Sequence, residues 1–230
     1  FPYDPVKSKL TGKTALIPEG EFSSRFPKTW EYLTLHANTL KAREKGKMRR
    51  AGWYGYVYPK SVALFEEKKI LTPSIASHAS FTLDTEGLYF MGSGGGGGGG
   101  YGIILKPEVP LCYEYVLGLL NSRLLDWLVK QSGAQFRGGY YAFSKQYIEN
   151  LPIHMIDFSE KTQVLAYDRM VTLVTSMLTL HQQLASAVSE AQRTVLERQI
   201  AATDAEINRL VYGLYGLTAE EIALVEAETK

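Results

Sequence analysis

Cysteine, long apolar runs and clustered metal-binding side chains are all scarce in this chain of 230 residues. Cys112 is the single cysteine, so an internal disulfide is excluded. No run approaches the roughly 18 consecutive apolar residues that a membrane span needs, and the N-terminus lacks the pattern of a signal peptide. We therefore expect a cytoplasmic protein without a membrane segment. The four histidines are scattered without metal-ligand spacing, which predicts no metal site.

Recognisable catalytic motifs are missing as well. An adenine-N6 or cytosine-N4 methyltransferase presents Asn/Asp/Ser-Pro-Pro-aromatic to the flipped base, and no Pro-Pro occurs in this chain. The Glu-x-Lys pairs Glu66–Lys68 and Glu67–Lys69 have no upstream aspartate at a distance that suits a metal-dependent nuclease. We predict no catalytic residue and no bound cofactor here. Because the chain begins at Phe1, without an initiator methionine, we expect it to be a piece of a longer protein.

A run of glycines from Gly94 to Gly100 resembles a nucleotide-binding loop only superficially. A dinucleotide fingerprint or phosphate loop must open a helix whose N-terminal amides hold the phosphate. Here the next segment, Tyr101 to Leu105, has the composition of a strand. Two interpretations stay open: a flexible connection between two strands, or a loop whose bare backbone lies against DNA.

Charge is divided unevenly along the chain. Residues 1–150 carry 19 Lys/Arg against 13 Asp/Glu, while residues 151–230 carry 6 against 11. A basic front half attached to an acidic back half is typical of a protein in which only the first half meets a polyanion.

Hydrophobic spacing predicts an α+β fold, with a β-rich mixed domain over residues 1–156 and a helical arm over residues 157–230. Helices are expected over Pro27–Lys41 and Leu111–Lys130, and in a short segment from Tyr147 to Glu149 capped by Ser144. The predicted strands are Ile70–Ile75, Phe81–Asp84, Leu88–Met91 and Tyr101–Leu105.

The arm shows two apolar seams with alternating steps of three and four, Met170 to Ala191 and Leu196 to Leu214. The Ser189-x-x-Gln192 pair has the form of a capping box, so we predict two antiparallel helices joined near residues 187–190. A second capping box, Thr218-x-x-Glu221, predicts a short terminal helix. Two interpretations stay open. The two seams pack on each other within one chain, or they pack on another chain by self-association.

Two segments combine cations with aromatic side chains as a nucleic-acid surface does: residues 41–60 and residues 137–146. Lysine and arginine neutralise phosphates, while Arg, Gln, Asn and Ser read base edges. The alternatives are a solvated basic helix end for the first segment and a tight turn that brings Tyr141 and Phe143 into the core for the second. The candidate DNA-binding residues are Arg43, Lys45, Lys47, Arg49, Arg50, Trp53, Tyr54, Lys60, Arg137, Tyr140, Tyr141, Lys145 and Gln146.

Several motifs together resemble a known family. They are Pro27-Lys-Thr-Trp-Glu-Tyr-Leu, Trp53-Tyr-Gly, Lys69-Ile-Leu-Thr-Pro, Gly118-Leu-Leu-Asn-Ser-Arg-Leu-Leu-Asp-Trp and the long block from Phe136 to Ile153. This series resembles the TaqI-like C-terminal specificity domain. That domain follows the methyltransferase domain in adenine-specific enzymes of the Eco57I type and in fused restriction-modification proteins called type IIG.

The resemblance implies a bacterial target recognition domain that binds a short sequence of double-stranded DNA. A separate methyltransferase domain of the same polypeptide or complex would transfer methyl from S-adenosylmethionine to adenine N6, and in some members a nuclease cuts. Carried onto this chain, the resemblance places Arg137, Tyr140, Tyr141, Lys145 and Gln146 nearest DNA. Residues 203–222 are similar to the helical tails of these enzymes and of type I specificity subunits, which act as spacers and docking arms. The alternative function is a helical protein-interaction module that does not read bases.

Overall fold

A computed structural model describes residues 2–91 and 98–229 of the protein. The chain divides into two compact units, one formed by residues 1–67 and 86–90 and the other by residues 68–85 and 91–230. We call them the N-terminal unit and the C-terminal unit. The mixed α+β fold class is confirmed. The predicted domain boundary after residue 156 differs from this division, and as a boundary between functions it stays a prediction.

The N-terminal unit is built from short helices around a small aromatic core. Its helices are α1 (Pro5–Thr11), α2 (Glu19–Arg25), α3 (Pro27–Leu35) and α4 (Ala37–Gly46), and a 3-10 turn follows at Val62–Leu64. The core contains Ile17, Phe22, Trp53 and Tyr54, all buried, with Trp30 packed against them. Helix α1 was not anticipated, although it has clear start signals: Asp4 accepts a hydrogen bond from the Lys7 amide at 2.8 Å, and a proline occupies the first turn.

The sequence predicted a single helix over Pro27–Lys41, but the structure contains two helices there, α3 and α4. The backbone leaves the α conformation at His36 (φ −99°, ψ 10°), whose amide is shared between the carbonyls of Tyr32 and Leu33. A second helix, α4, begins directly afterwards. Tyr32 packs on the His36 ring with the centroids 4.6 Å apart, a local contact that hydrophobic spacing does not reveal.

The C-terminal unit contains two small antiparallel sheets. Strands β1 (Lys69–Pro73), β3 (Thr82–Asp84) and β4 (Gly100–Ile103) form one sheet in the order β3-β1-β4. Strands β2 (Ile75–Ala76), β5 (Gln135–Phe136) and β6 (Tyr140–Ala142) form the other, in the order β2-β6-β5. The strand expected at Leu88–Met91 is wrong, because these residues form no strand. Within the N-terminal unit Phe90 instead stacks on Phe65, at 5.5 Å between ring centroids.

Two helices replace the single helix expected over Leu111–Lys130. Helix α5 (Tyr113–Leu120) is followed by Asn121 as its C-terminal cap. Helix α6 (Arg123–Ser132) has Ser122 as its N-terminal cap, whose hydroxyl accepts from the Leu125 amide at 3.3 Å. The Asn121 side chain bonds both the amide and the carbonyl of Phe81, each at 2.9 Å. This link across 40 residues fixes the break between the helices. A short helix, α7 (Lys145–Ile148), follows the second sheet.

The helical arm agrees with the prediction. Helix α8 (Lys161–Ser186) and helix α9 (Glu190–Tyr215) are joined by three residues, and Ser189 accepts from the Gln192 amide at 3.2 Å. Arg169 and Glu206, at similar distances from this connection, form an ion pair across the two helices, as an antiparallel arrangement requires. Helix α10 (Ala219–Glu228) begins with the expected capping box. Met170, Leu173, Val174, Ile207 and Val211 join the core that contains α5 and α6.

Candidate nucleic-acid interface

The N-terminal unit carries four cations on exposed chain within six residues: Lys45, Lys47, Arg49 and Arg50. We call them the basic patch. Within residues 2–91 and 98–229, none of the four forms a hydrogen bond or an ion pair with another side chain. Lys60 is also exposed and also lacks such a partner in the described part. These charges are therefore available to a ligand rather than committed to the fold.

A left-handed turn presents the basic patch. Helix α4 is regular only up to Ala42, after which Glu44, Lys45 and Gly46 take positive φ values of 49°, 56° and 88°. The Arg43 side chain holds this turn from inside: Nε donates to the Leu40 carbonyl at 2.8 Å, and Nη2 donates to the carbonyls of Trp53 and Gly55 at 2.6 and 3.0 Å. Because its guanidinium is occupied by the backbone, we withdraw Arg43 from the predicted DNA-contacting residues and assign it a positioning role.

Aromatic rings support the lysines of this segment. The Lys47 ammonium lies 4.3 Å from the centre of the Tyr58 ring, and the Tyr58 hydroxyl lies 3.3 Å from a carboxylate oxygen of Glu44. Lys41, half-buried, lies 5.1 Å from the centre of a Trp53 ring. Such contacts hold a cation at a defined place while its charge stays accessible. Tyr58 was not among the predicted site residues, although it belongs to the aromatic stretch of residues 53–58.

Trp53 and Tyr54 were expected at the DNA surface, and the structure places both in the core. They are 6% and 7% exposed, and the Tyr54 hydroxyl donates to the Ile17 carbonyl at 2.7 Å. Burial raises the pKa of the Tyr54 hydroxyl above its ordinary value. We therefore withdraw these two rings from the predicted interface, because buried side chains cannot contact a duplex directly.

The second predicted segment forms an exposed β-hairpin in the C-terminal unit. Gln135 pairs with Tyr141 and Phe136 with Tyr140, which leaves Arg137 and two glycines as the loop. Gly138 and Gly139 have φ values of 85° and 77°, a left-handed conformation that glycine adopts without strain. The Arg137 guanidinium is exposed and has no hydrogen bond or ion pair within the described ranges. We call residues 135–142 the reading hairpin.

The base of the reading hairpin is anchored in the core, as the tight-turn alternative expected. Phe143 is fully buried against Phe81, with the ring centroids 6.1 Å apart. Tyr141 is half-buried, and its ring lies 5.7 Å from the Lys130 ammonium. Tyr140 stays 47% exposed. The two interpretations therefore apply to different parts of one segment: an exposed loop with Arg137 at its end, and a buried base.

A concave region of about 330 Å³ lies beside the reading hairpin. Its wall includes Phe136, Ser144, Gln146 and the described end of the glycine run at Gly98 and Gly100. Ser144 precedes α7, but its hydroxyl makes no capping hydrogen bond, so the expected side-chain cap is wrong. Lys145 is exposed next to it and pairs with Glu149 at 3.5 Å.

The described end of the glycine run continues directly into strand β4, and the Gly99 carbonyl accepts from the Ser74 amide at 3.0 Å. Residues 94–97 lie outside the described residues. A helix N-terminus that could hold a phosphate does not follow this run.

Comparison with known proteins identifies the family. A model of the TaqI-like C-terminal specificity domain matches residues 21–153, more than half of the chain. The chain belongs to this family. It is also similar to the type II restriction enzyme and methyltransferase RM.Eco57I of Escherichia coli, with 23% identity over 223 residues. That alignment covers 94% of this chain and 22% of the relative, so the chain spans about a fifth of the length of that curated protein.

The specificity-domain match includes both the basic patch and the reading hairpin, and it ends before helix α8. Within the described part of this specificity domain and its arm, no three His, Cys, Asp or Glu side chains are grouped so that they could hold a metal ion. None of the helices in residues 2–91 and 98–229 combines the length and apolarity of a membrane span. Two polar residues were not among the predicted site residues: Gln135, in strand β5 of the reading hairpin, and Ser144, in the wall of the concave region.

Proposed function

We propose that this chain is the DNA target recognition module of a bacterial restriction-modification enzyme whose catalytic domain methylates adenine at N6. The observation that supports it most is the basic patch: four cations, displayed by a strained turn, without a carboxylate partner among the described residues. Cations of this kind bind phosphates and release the counterions that surround a duplex. Membership of a specificity-domain family points to the same function.

Catalysis belongs to another domain in this proposal. The relative of this chain is named as a restriction enzyme and methyltransferase, and four fifths of its length lie outside the match. The methyl donor S-adenosylmethionine would bind in the methyltransferase domain, of the same polypeptide or of a complex, because no strand-glycine loop-helix arrangement is present in the described part of this chain. The enzyme would act in the cytoplasm, where bacterial DNA lies.

The proposed DNA contacts come from both units. In the N-terminal unit they are the basic patch and Lys60; in the C-terminal unit they are Arg137, Tyr140, Tyr141, Lys145 and Gln146. Arg43 supports the left-handed turn, while Trp53 and Tyr54 form the core beneath it.

Selection from a pool of randomised duplexes tests this function. The chain is mixed with the pool at low salt, bound duplexes are recovered on a filter, and the cycle is repeated. We expect one short motif to be enriched, and we expect affinity for that motif to fall steeply between 50 and 200 mM salt, because phosphate contacts dominate DNA affinity. Absence of duplex binding at low salt, or binding that does not respond to salt, would contradict the proposal.

A second candidate function is a helical protein-interaction module, and one observation favours it. In the half of the α8–α9 pair nearest the connection, Leu180, Leu184 and Ile200 are only half-buried. Val188, in the connection itself, is 95% exposed. A partner helix could cover these side chains.

Light scattering distinguishes a closed hairpin from self-association. We expect the chain to be a monomer, with the two helices covering only each other. A stable dimer that dissociates when Leu180 and Leu184 are both changed to Asp would favour the interaction module. The paired change of Thr172 and Thr179, both exposed on the same helix, to Asp is the matched control.

A further inference from the structure

The two candidate DNA-binding segments differ in the chemistry of their side chains. Residues 41–60 contain seven Lys/Arg and one acid, but no Asn, Gln, Ser, Thr or His. Residues 137–146 contain two Lys/Arg and two neutral hydrogen-bonding side chains, Ser144 and Gln146, and Gln135 adds a third in the first strand of the reading hairpin. Phosphates require positive charge, whereas base edges are distinguished by donors and acceptors at fixed positions.

The reading hairpin has a shape that suits a DNA groove. A two-stranded ribbon fits the major groove, which is about 12 Å wide. The loop is narrow because Gly138 and Gly139 carry no side chains, and a Cβ placed on Gly139 would meet no atom within 4 Å. Arg137 is therefore the one side chain of the three-residue loop. A guanidinium in this place can form two parallel hydrogen bonds to a guanine edge.

Neutral polar groups beside the hairpin have free hydrogen-bonding capacity. Gln146 is exposed, and its side-chain amide has no partner among the described residues. The Ser144 hydroxyl, in the wall of the same concave region, makes no capping bond. A glutamine amide matches the N6 and N7 positions of adenine, and a serine hydroxyl can donate or accept.

The basic patch lacks neutral polar side chains of this kind. It contains two lysines, which act as point charges, and two arginines, but no Asn, Gln, Ser, Thr or His lies within residues 45–50. The Lys47 ammonium is centred over the Tyr58 ring rather than beside a neutral polar group. A cluster of this composition attracts any duplex regardless of its sequence.

We propose that base selection resides in the C-terminal unit, with Arg137 and Gln146 as its principal specificity-determining residues, while the basic patch supplies sequence-independent phosphate binding. This division rests on the proposed function, because it has meaning only if the chain binds duplex DNA.

Two quantities separate the roles: the slope of log affinity against log salt, and the ratio of affinities for the selected motif and for a scrambled duplex. Changing Lys45, Lys47, Arg49 and Arg50 together to Ala is expected to reduce the slope by about 0.9 for each phosphate that is no longer neutralised, up to about 3.6, with the ratio unchanged. Arg137→Lys keeps the charge but removes the paired geometry. We expect it to lower the ratio by about 5- to 150-fold, the discrimination of one bidentate base contact, with the slope unchanged.

Gln146→Ala is also expected to lower the ratio of the two affinities. The base pairs of the motif that lose discrimination should differ from those affected by Arg137→Lys. Matched controls come from exposed residues of the same units: Lys13 and Lys28 to Ala for the basic patch, Arg198→Ala for Arg137 and Gln182→Ala for Gln146. The controls should change neither quantity. Thermal unfolding of each variant shows whether the fold is retained. Arg137→Lys keeps the positive charge and nearly the same side-chain volume, so it should leave the melting temperature unchanged.

The outcomes separate this inference from the proposed function. If the unaltered chain binds no duplex, the proposed function fails. If it binds a motif, but Arg137→Lys and Gln146→Ala leave the ratio intact, or the patch variant removes the ratio, then the division between the units is wrong while the function stands.

Discussion

At the scale of single residues, the turn after helix α4 concentrates backbone strain beside the basic patch. Glu44 and Lys45 both adopt left-handed conformations, which cost an ordinary residue about 1–2 kcal/mol each. Three hydrogen bonds from the Arg43 guanidinium oppose this cost. Strain of this kind is often found where a protein displays functional side chains.

Replacing Glu44 by Gly should stabilise the protein by about 0.5–1 kcal/mol. Relief of the left-handed strain exceeds the entropy that glycine adds to the unfolded chain. Urea unfolding measures the change. The control is the same substitution in a regular helix, Glu31→Gly in α3, which should lower stability by about 1 kcal/mol. Equal destabilisation of both variants would contradict the left-handed conformation of Glu44.

Asp204 provides a prediction for pH dependence. Burial raises the pKa of this carboxyl above its ordinary value, although the nearby Arg123 opposes the shift. The ionised form is therefore unfavourable in the folded state, and this cost is present at neutral pH and disappears as the pH falls through the raised pKa.

Asp204→Asn should accordingly raise the melting temperature at pH 7, because it removes the buried charge. The new amide oxygen can still accept the hydrogen bond from Asn208. The gain should shrink as the pH is lowered to about 4, near the ordinary aspartate pKa. Melting curves at the two pH values check this, and Asp168→Asn on the exposed face of α8 serves as the control. A gain in melting temperature that grows toward acid pH would contradict the raised pKa of Asp204.

Sequence alone predicted the exposed cations of residues 45–50 and Arg137, but not which neighbours are buried. Trp53 and Tyr54 stand in a basic, aromatic segment that is typical of a DNA surface, yet they complete a core with Phe22 and Trp30. Arg43 is indistinguishable in sequence from the cations around it, and only the fold brings the carbonyls of residues 53 and 55 within reach. Burial of this kind depends on contacts between distant residues, which composition does not encode.

At the scale of elements, the contact between α5 and α8 depends on a glycine. A Cβ on Gly118 would lie 2.6 Å from the Met170 sulfur and 2.8 Å from a methyl carbon of Val174. Both neighbours are buried in the core of the C-terminal unit, so they have little room to move. Gly118 therefore sets how closely the helical arm packs on α5.

Gly118→Ala should destabilise the protein by about 1–2 kcal/mol, because overpacking outweighs the gain in helix propensity. Gly213 in α9 is the matched control: a Cβ there meets nothing within 4 Å, so Gly213→Ala should stabilise by about 0.5–1 kcal/mol. Urea unfolding of the two variants should give changes of opposite sign. Equal gains in both would mean that α5 and α8 are not in close contact.

Elements with strong local signals were predicted well. The seams of α8 and α9 and the cap at Ser189 placed the connection between the helices within a residue or two. The break at Asn121 was missed, because apolar spacing continues from α5 into α6 while the cause, the bonds to Phe81, lies 40 residues away. The strand expected at residues 88–91 failed for a related reason, since Phe90 packs against Phe65 instead of pairing in a sheet.

At the scale of the whole molecule, charge and hydrogen-bonding groups are distributed over two units. The unit formed by residues 1–67 and 86–90 provides dense positive charge, and the other provides the reading hairpin with its neutral polar neighbours. The chain belongs to a specificity-domain family and spans about a fifth of the length of its curated relative.

Hydrogen exchange with and without a selected duplex tests most directly whether this chain contacts DNA through those surfaces. We predict slower amide exchange on duplex addition in residues 44–50 and 135–146, with unchanged exchange in residues 177–200 of the helical arm. Protection confined to the arm, with residues 44–50 and 135–146 unaffected at saturating duplex, would contradict the account and favour an interaction module instead.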